Sequence, residues 1–462
     1  DGAMKKYTRG GENMKKKVIS LMLIGAMVAS MAACGSNGGS DNGNAANGND
    51  TSAAAESDGG ASEGGNTLTV WTWDPAFNIS AIKEAGNIYK ADHPDFELKV
   101  VETLSDDCET KLITAAESGD LSTLPDICLM QDNSYQKFVS IYPEAFVDLT
   151  DSGIDFSQFA AGKLSYSTVD GKNYGVPFDN GAVIGAYRTD YLEQAGYTID
   201  DLTDIDWNRF IEIAKDVKAK TGKYMLSGQA DSPDMVMEML QSAGASLFDK
   251  DGKPAMTDNA ALKECISIYQ KLVEEGVYYE VNNWDDYVSS ITTGQVAGVI
   301  NGNWISATIM GMKDTSGKWA ITNMPKLIET PNATNYSNNG GSSWYITSNC
   351  KNQDLAIDFL KSTFAGSVQF YENILPTTGA IGTYAPAADS TAYQEPQEFW
   401  NNQPIFAKIV DFSLKTPTNN TSPYYYDGRN AIGTQIQNIM NGADVDQAIA
   451  DAQAEVEFTM GE

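Results

Sequence analysis

The chain has 462 residues, and its 62 acidic side chains outnumber 31 basic ones, which gives a net charge of -31. This acidity would repel phosphate backbones and argues against nucleic acid as a partner. The single histidine, His93, is followed by Pro94 between a predicted helix and a predicted strand, which nearly excludes histidine-dependent catalytic triads.

The N-terminal segment has the pattern of an export signal. Three lysines precede the apolar stretch Val18–Ala29, which is shorter than the roughly 20 apolar residues of a membrane-spanning helix. Met31-Ala-Ala-Cys34 resembles the lipobox of bacterial lipoproteins, which implies cleavage before Cys34 and a lipid anchor on it. A plain secretory signal with an incidental cysteine is the alternative. Residues 1–33 are predicted to be an upstream extension and signal peptide.

The segment that follows Cys34 consists of polar and small residues. Residues 35–66 contain no aromatic residue, no lysine and no arginine. Such a composition cannot bury enough apolar surface to fold. We therefore expect residues 34–66 to form a lipid-anchored disordered linker that reaches about 30 Å.

Strands and helices alternate in the next part of the chain. Leu68–Trp73 and Phe96–Val100 are predicted strands with a helix between them, and a helix over Asp106–Ser118 precedes a short buried strand over Asp126–Met130. This order predicts an α/β fold with a mainly parallel sheet.

A second series of elements fills the rest of the chain. Amphipathic helices are predicted from the capping Asp206 and from Asp258. The later predictions are a helix over Asp285–Thr293, strands over Val296–Ile300 and Ser343–Thr347, helices over Asp354–Phe364 and Val368–Ile374, an extended break at Leu375–Thr378, and helices near Phe406–Phe412, Gly428–Met440 and Val445–Phe458.

The cysteines beyond Cys34 give no metal signature. Cys108, Cys128, Cys265 and Cys350 show no CxxC spacing, so no metal and no cofactor is expected. Cys128 and Cys265 fall in apolar patterns typical of buried thiols. We favour free thiols throughout, with a Cys108–Cys128 disulfide as the alternative.

Several blocks, taken in order, resemble one family. They are the lipobox with its polar linker, Leu68-Thr-Val-Trp-Thr-Trp73-Asp74, Tyr174-Gly-Val-Pro-Phe-Asp179-Asn180, Gly294-Gln-Val-Ala-Gly-Val-Ile-Asn-Gly-Asn-Trp304, Gly340-Gly-Ser-Ser343 and Leu375-Pro-Thr377. The set is similar to the extracellular solute-binding proteins of carbohydrate ABC importers, the group that includes maltose-binding protein. The resemblance covers essentially the whole chain after residue 66.

The resemblance implies a two-lobed α/β fold of the periplasmic-binding-protein type II, with a ligand cleft between the lobes. Residues 67–179 and 338–375 would form lobe 1, and residues 180–337 and 376–462 would form lobe 2. The chain would cross between lobes near Phe178–Gly181, Asn335–Gly341 and Leu375–Thr377. The implied function is binding of a di- or oligosaccharide outside the cell and its delivery to ABC permease subunits, by a non-catalytic and monomeric protein on the outer face of the cell membrane.

Candidate ligand-binding residues combine aromatic planes, which stack on sugar rings, with polar groups that pair with hydroxyls. They lie beyond predicted strand ends or at the predicted crossings. The candidates are Trp73, Asp74, Asn78, Asp132, Asp179, Asn180, Asn303, Trp304, Ser342, Ser343, Trp344, Tyr425 and Arg429, with Trp284 left open. Trp207 and Trp319 fall on core-like patterns.

Two other functions remain open at the level of sequence. An extracellular glycoside hydrolase would need two facing carboxylates, which a chain this acidic could supply, although no local motif marks such a pair. A binding protein for a non-sugar solute, such as ferric ion held by the Tyr424–Tyr426 run, is the third reading. The tryptophans near strand ends favour sugar.

Overall fold

The fold is taken from a computed structural model, which describes residues 60–62, 64–75, 77–379 and 381–461. The predicted signal peptide, Cys34 and most of the predicted linker lie outside the described residues. Within this described part, no helix combines the length and the apolar character needed to cross a bilayer.

The strands and helices follow the predicted alternation. The strands are β1 (Thr67–Thr72), β2 (Glu97–Glu102), β3 (Ile127–Gln131), β4 (Thr168–Val169), β5 (Lys172–Asn173), β6 (Gly175–Arg188), β7 (Leu226–Gln229), β8 (Tyr278–Val281), β9 (Gly298–Gly302), β10 (Trp319–Thr322) and β11 (Asn338–Ile346). The first helices are α1 (Asn78–Asp92), α2 (Ser105–Ser118), α3 (Asp132–Ile141), α4 (Ala161–Ser165), α5 (Thr189–Ala195), α6 (Trp207–Thr221), α7 (Asp234–Ser242), α8 (Ala260–Glu274) and α9 (Trp284–Thr292).

Among the described residues, the remaining helices are one that follows β9 and seven in the C-terminal part of the chain. They are α10 (Ile305–Met310), α11 (Gln353–Ser362), α12 (Val368–Thr378), α13 (Ala385–Ala388), α14 (Thr391–Gln394), α15 (Ile405–Lys415), α16 (Tyr425–Met440) and α17 (Val445–Met460). Short 3-10 helices lie at Leu121–Thr123, Pro143–Ala145, Phe156–Gln158, Ile199–Leu202, Lys313–Thr315 and Glu398–Trp400.

The first sheet has the strand order β6-β11-β3-β1-β2. Strand β1 is parallel to both β2 and β3, and every residue from Leu68 to Thr72 is buried, as its β-branched and aromatic sequence predicts. Strand β11 runs antiparallel to β3, and its Ser342 pairs with Gln131 at the end of β3. The carboxyl ends of β1 and β3 and the first residues of β11 therefore meet at one edge of the sheet.

Strand β6 belongs to two sheets. Its first residues pair with β11, whereas Val183–Arg188 lie between β9 and β10 in a second sheet. We call residues 179–182 of β6 and 338–342 of β11 the strand crossing, because they connect the two sheets. The register of β6 against β11 shifts between Asn338 and Gly341, which marks a bulge at this point.

The second sheet is covered by amphipathic helices. Helix α6 begins after Asp206, whose carboxylate accepts a hydrogen bond from the Arg209 amide at 2.9 Å and caps the helix as predicted. Trp207 is completely buried in the same core as Val183 of β6. Trp319 of β10 is 1 % exposed, so both tryptophans predicted to be core residues are core residues.

The predicted extended break after residue 374 is wrong. Helix α12 continues through Pro376 to Thr378 and ends at Gly379, which has a φ of 63°. Pro376 lies exposed in the last turn while Ile374 and Leu375 are buried, so core packing outweighs the one backbone donor that proline lacks. The chain next approaches β6 four residues later, where Gly382 forms a β-bridge with Asp179.

The cysteines and the histidine occupy structural positions. Cys108, Cys128, Cys265 and Cys350 are buried free thiols, which confirms the favoured prediction over the disulfide. His93 is exposed after α1, and its ring stacks on Tyr89 at 4.0 Å between centroids.

Candidate functional site

A cavity of about 930 Å³ lies at the edge of the first sheet, next to the strand crossing. This volume is within the usual range for small-molecule sites, which is roughly 300–1,000 Å³. Of the predicted binding residues, the cavity is lined by Trp73, Asp74, Asn78, Asp179, Trp304, Ser342, Tyr425 and Arg429.

Asn78 holds the loop that presents Trp73 and Asp74. Its side-chain oxygen accepts hydrogen bonds from the Thr72 hydroxyl at 2.6 Å and from the amides of Trp73 and Asp74 at 3.2 and 2.9 Å. Asp74 in turn accepts from the Phe77 amide at 3.1 Å. Because Asn78 is 98 % buried, its main effect is to fix the loop, while Trp73 stays half-buried at the cavity surface.

Trp304 is placed by the glycine two residues before it. A Cβ atom on Gly302 would lie 2.3 Å from the indole Nε1 and 2.5 Å from the Asn339 carbonyl oxygen, so only glycine permits this approach. The indole N–H donates to that same carbonyl at 3.0 Å. The Gly-Asn-Trp block after β9 therefore fixes the indole plane against the strand crossing.

Trp284 extends the aromatic surface of the cavity. It is the first residue of α9, is 45 % exposed, and lies 5.8 Å from Trp304 between ring centroids at an angle of 41°. We call Trp284 and Trp304 the aromatic wall. The sequence placed Trp284 before a helix, but only the packing of α9 beside β9 brings it to the cavity.

A buried polar cluster underlies the strand crossing. The Lys163 ammonium forms an ion pair with Asp132 and donates to the carbonyl oxygens of Asp179 and Ser342 at 2.7 and 2.9 Å. Ser343 donates to Asp132 at 3.0 Å, and the Ser342 hydroxyl donates to the Asp179 carboxylate. Each of these five residues is at least 94 % buried.

Two of the predicted site residues belong to the buried polar cluster. Asp132 and Ser343 satisfy each other and Lys163, and neither lines the cavity. Burial raises the pKa of Asp132 to about 6, although the nearby Lys163 ammonium lowers it. Burial also raises the pKa of Asp179, against the same ammonium and the Ser342 hydroxyl. Lys163 was absent from the sequence-based candidates because nothing local marks a lysine in a short helix as a strand-crossing partner.

Three further candidates lie away from the cavity. Trp344 is completely buried in the core, 5.8 Å from Phe178 and 5.3 Å from Phe364 between ring centroids. Asn303 is completely buried beneath the same turn that presents Trp304. Asn180 donates to the Ser413 hydroxyl of α15 at 3.0 Å. For Asn303 and Asn180, the neighbouring residue, Trp304 or Asp179, lines the cavity instead.

Helix α16 closes another side of the cavity. Its Tyr426 donates to the Gln131 side chain at the end of β3, and Tyr425 meets Tyr426 edge to face at 5.3 Å. Arg429 donates to Asp234 of α7 at 2.5 Å. The predicted aromatic and cationic cluster therefore does face the cavity, and Arg429 is already paired there.

Polar lining residues that sequence reasoning did not select complete the cavity. They include Glu109, Gln131, Asn133, Ser134, Asp234, Asn339 and Asn430. Burial raises the pKa of Glu109. Within the residues that the structure describes, no group of three or more His, Cys, Asp or Glu side chains could hold a metal ion. Aromatic faces surrounded by amides and carboxyls fit a neutral polyhydroxylated ligand, which needs both stacking and paired hydrogen bonds.

Comparison with known proteins adds a family to this geometry. Residues 84–407 match the bacterial extracellular solute-binding proteins. The chain is 40 % identical over 382 residues to the lactose-binding protein of Rhizobium radiobacter, covering 83 % of this chain and 90 % of that protein.

Solved structures share the fold at low identity. The GacH receptor of Streptomyces glaucescens has a TM-score of 0.72 at 18 % identity, covering 86 % of this chain and 98 % of that one. The galacto-N-biose-/lacto-N-biose I-binding protein of Bifidobacterium longum has a TM-score of 0.71 at 22 % identity, covering 88 % and 98 %. These likenesses confirm the predicted two-lobed α/β fold.

Proposed function

Because the chain belongs to the bacterial extracellular solute-binding proteins, we propose that it binds a di- or oligosaccharide in the cavity and delivers it to a membrane ABC permease. As in the rest of its family, the protein works outside the cytoplasm and binds its solute without catalysis, so it is not the glycoside hydrolase that its acidity left open. The relative with 40 % identity is a lactose-binding protein, which supports a sugar as the solute.

The observation that carries the proposal is the aromatic wall beside a polar rim. Trp304 and Trp284 offer two indole faces in one cavity, and Trp73 on the loop after β1 offers a third. Several aromatic platforms suit a ligand with more than one ring. Asp74 and Asp179 supply hydrogen-bond partners for its hydroxyls.

Binding is proposed to close the cleft about the strand crossing. Hinges of two-lobed binding proteins are a few residues that absorb dihedral change. Gly341 has a φ of 104° and lies where an added Cβ would be 2.7 Å from Asp132. We assign residues 67–179 and 338–379 to one lobe and residues 180–337 and 381–462 to the other, which moves the predicted boundary from residue 375 to the end of α12, since residue 375 lies inside that helix.

Membrane attachment is proposed through a lipid on Cys34, with residues 35–66 as the link to the folded part. The support is the lipobox-like Met31-Ala-Ala-Cys34 after a lysine-led apolar stretch. The protein is further proposed to act as a monomer. Replacing Cys34 with Ala should release the protein from membranes into the medium, whereas a plain secretory signal would give soluble protein in both cases.

Calorimetry against a glycan panel tests the main proposal. We expect heat with at least one di- or oligosaccharide and none with nucleic acid. Heat from monosaccharides alone would contradict the oligosaccharide assignment. Release of reducing sugar from a glycan would instead indicate a glycoside hydrolase. A new absorbance band on adding ferric ion would indicate that the solute is a metal ion bound by tyrosines.

A further inference from the structure

A small side pocket of about 30 Å³ lies between α7, α9 and strands β7, β8 and β9. It shares Trp284 and Asp234 with the main cavity, so it borders the aromatic wall. Its apolar lining includes Met235, Tyr278 and Ile300. This pocket is separate from the buried polar cluster, and the proposed function above assigns no part of the ligand to it.

Glu238 of α7 is the unusual member of the side pocket. It is 98 % buried, its Oε1 accepts from the side-chain amide Nδ2 of Asn339 at 2.8 Å, and its Oε2 is buried with no hydrogen-bond partner. Burial raises the pKa of Glu238 well above its ordinary value, and the charge of Asp234 adds to this rise. A protonated carboxyl that has no acceptor for its O–H is costly in a protein interior.

The size of the side pocket limits what could satisfy Glu238. One water-sized group needs about 10–15 Å³ of such volume, so about two heavy atoms fit. A sugar ring is too large, whereas one carbon and one hydroxyl oxygen match both the volume and the mixed apolar and acidic lining. In a hexopyranose that unit is the exocyclic hydroxymethyl arm.

We propose that the side pocket takes the hydroxymethyl arm of one hexose unit, with the carboxyl of Glu238 as its hydrogen-bond partner. This inference rests on the proposed oligosaccharide function and makes it narrower. The ring that carries the arm lies against Trp284, which lines both spaces. The protein therefore selects disaccharides whose unit at this position is a hexose over those with a 6-deoxyhexose or a pentose there.

Calorimetry with the unmodified protein gives the first test. Lactose, cellobiose and maltose are the starting probes, and whichever binds most tightly is compared with its two mono-6-deoxy derivatives and its pentose counterparts. We expect one of the two 6-deoxy positions to lower affinity by about tenfold to a hundredfold, because the buried carboxyl oxygen is again left without a hydrogen-bond partner. Equal affinity for all derivatives would overturn the inference and leave the oligosaccharide function standing.

Failure of the broader function gives a different result. If none of the three disaccharides and no larger glycan produces heat, the proposed function itself is wrong. Heat with glycans that lack any hydroxymethyl group, at an affinity equal to that of their hexose counterparts, contradicts only the side-pocket assignment.

Variants of Glu238 then assign the effect to this residue. Glu238→Met keeps the side-chain length but removes the polar partner, and should abolish the difference between the disaccharide and its sensitive 6-deoxy derivative. Glu238→Gln, which again offers a donor and an acceptor, should restore most of that difference. Glu274→Met, at the exposed end of α8, is the matched surface control.

A purely structural role for Glu238 would give another pattern. Glu238 would then act through Asn339, whose backbone carbonyl accepts a hydrogen bond from the Trp304 indole. In that case Glu238→Met would lower the affinity for the parent sugar and for its 6-deoxy derivative by the same factor. That outcome would overturn the inference. Circular dichroism checks whether Glu238→Met folds. If it does not, the affinities of the unmodified protein and of Glu238→Gln for the parent sugar and its 6-deoxy derivative test the inference.

Discussion

The buried polar cluster and the aromatic wall border the same cavity but differ in how their side chains are satisfied. In the cluster, Lys163 bonds to Asp132 and to two backbone carbonyls, and little of it reaches solvent. In the wall, Trp284 is 45 % exposed and Trp304 is partly exposed above the strand crossing. Lys163, Asp132 and Ser343 of the cluster bond to other groups of the protein, whereas the wall leaves an apolar surface that a ligand can cover.

This contrast indicates which residues contribute to binding and which to folding. A charge removed from water is tolerated only with a partner, so the cluster fixes β6 against β11. Covering exposed apolar surface with a ligand lowers the free energy, so the aromatic wall favours ligand binding. Substitutions in the two regions should therefore separate stability from affinity.

The largest expected effect is on the cluster. Lys163→Met removes the ammonium and leaves the buried Asp132 without its ion pair, together with two carbonyls that lose a donor. We expect the free energy of unfolding to fall by about 3–5 kcal/mol. Denaturant unfolding followed by tryptophan fluorescence measures this.

An exposed ion pair provides the control for Lys163. Lys215 pairs with Glu275 at 2.6 Å, with side chains 50 % and 35 % exposed, so Lys215→Met should cost only about 0–1 kcal/mol. Similar losses for the two lysine variants would mean that the cluster does not hold the crossing.

The next effect concerns the aromatic wall. Trp304→Ala should weaken sugar binding by about 1–3 kcal/mol while the protein stays folded, because one aromatic contact surface is lost. Calorimetry with the tightest-binding glycan measures the change. The contrasting variant is Trp344→Ala, which empties a core position and should lower stability by about 3–5 kcal/mol. Unchanged affinity in Trp304→Ala would remove that residue from the site.

Sequence patterns predicted the strands, the helices and the residues that follow strand ends better than they predicted where single side chains point. Strand β1 and its continuation into Trp73 follow from a β-branched, aromatic run before a loop, and the structure places both as expected. Gly302 and Trp304 were recognisable as a block through the family resemblance, and the structure supplies the steric reason for the glycine.

Other residues depended on distant contacts that no local pattern contains. Lys163 is 31 residues from Asp132 and 179 from Ser342, and only the fold brings them together. Ser342 faces the cavity while Ser343 faces Asp132, a choice set by the strand's side-chain alternation and by the bulge beside it. Trp284 required the packing of α9 beside β9, and α12 continued through Pro376 because its buried face outweighed one lost donor.

A pH-dependent effect tests the neutral carboxyl of the side pocket. The folded-state pKa of Glu238 is raised above its ordinary value of 4.5, so above that pH the unfolded chain loses a proton that the folded protein keeps. Stability of the unmodified protein then falls as pH rises toward the folded pKa, by at most about 1.4 kcal/mol per pH unit. Glu238→Gln carries no such proton, so its stability relative to the unmodified protein should increase from pH 5 to pH 8.

Thermal or denaturant unfolding across that pH range measures the difference. Glu274→Gln, at the exposed end of α8, is the surface control. A stability difference between Glu238→Gln and the unmodified protein that stays constant with pH would show that Glu238 is charged in the folded protein. It would then resemble the ion-paired cluster and not a neutral carboxyl whose Oε2 has no hydrogen-bond partner.

The smallest expected effect concerns an ion pair that is only half covered. Lys137 of α3 pairs with Asp427 of α16 at 2.9 Å, with side chains 35 % and 26 % exposed. These two helices contribute residues to the cavity, so the pair should favour the closed arrangement, but water screens it. Asp427→Asn should weaken binding by less than about 1 kcal/mol at low salt, and the loss should vanish in about 1 M salt, where the screening length is about 3 Å. If the loss of affinity persists in high salt, exposure to water does not determine the strength of this ion pair. The predicted difference between this pair and the buried pair of Lys163 and Asp132 would then be wrong.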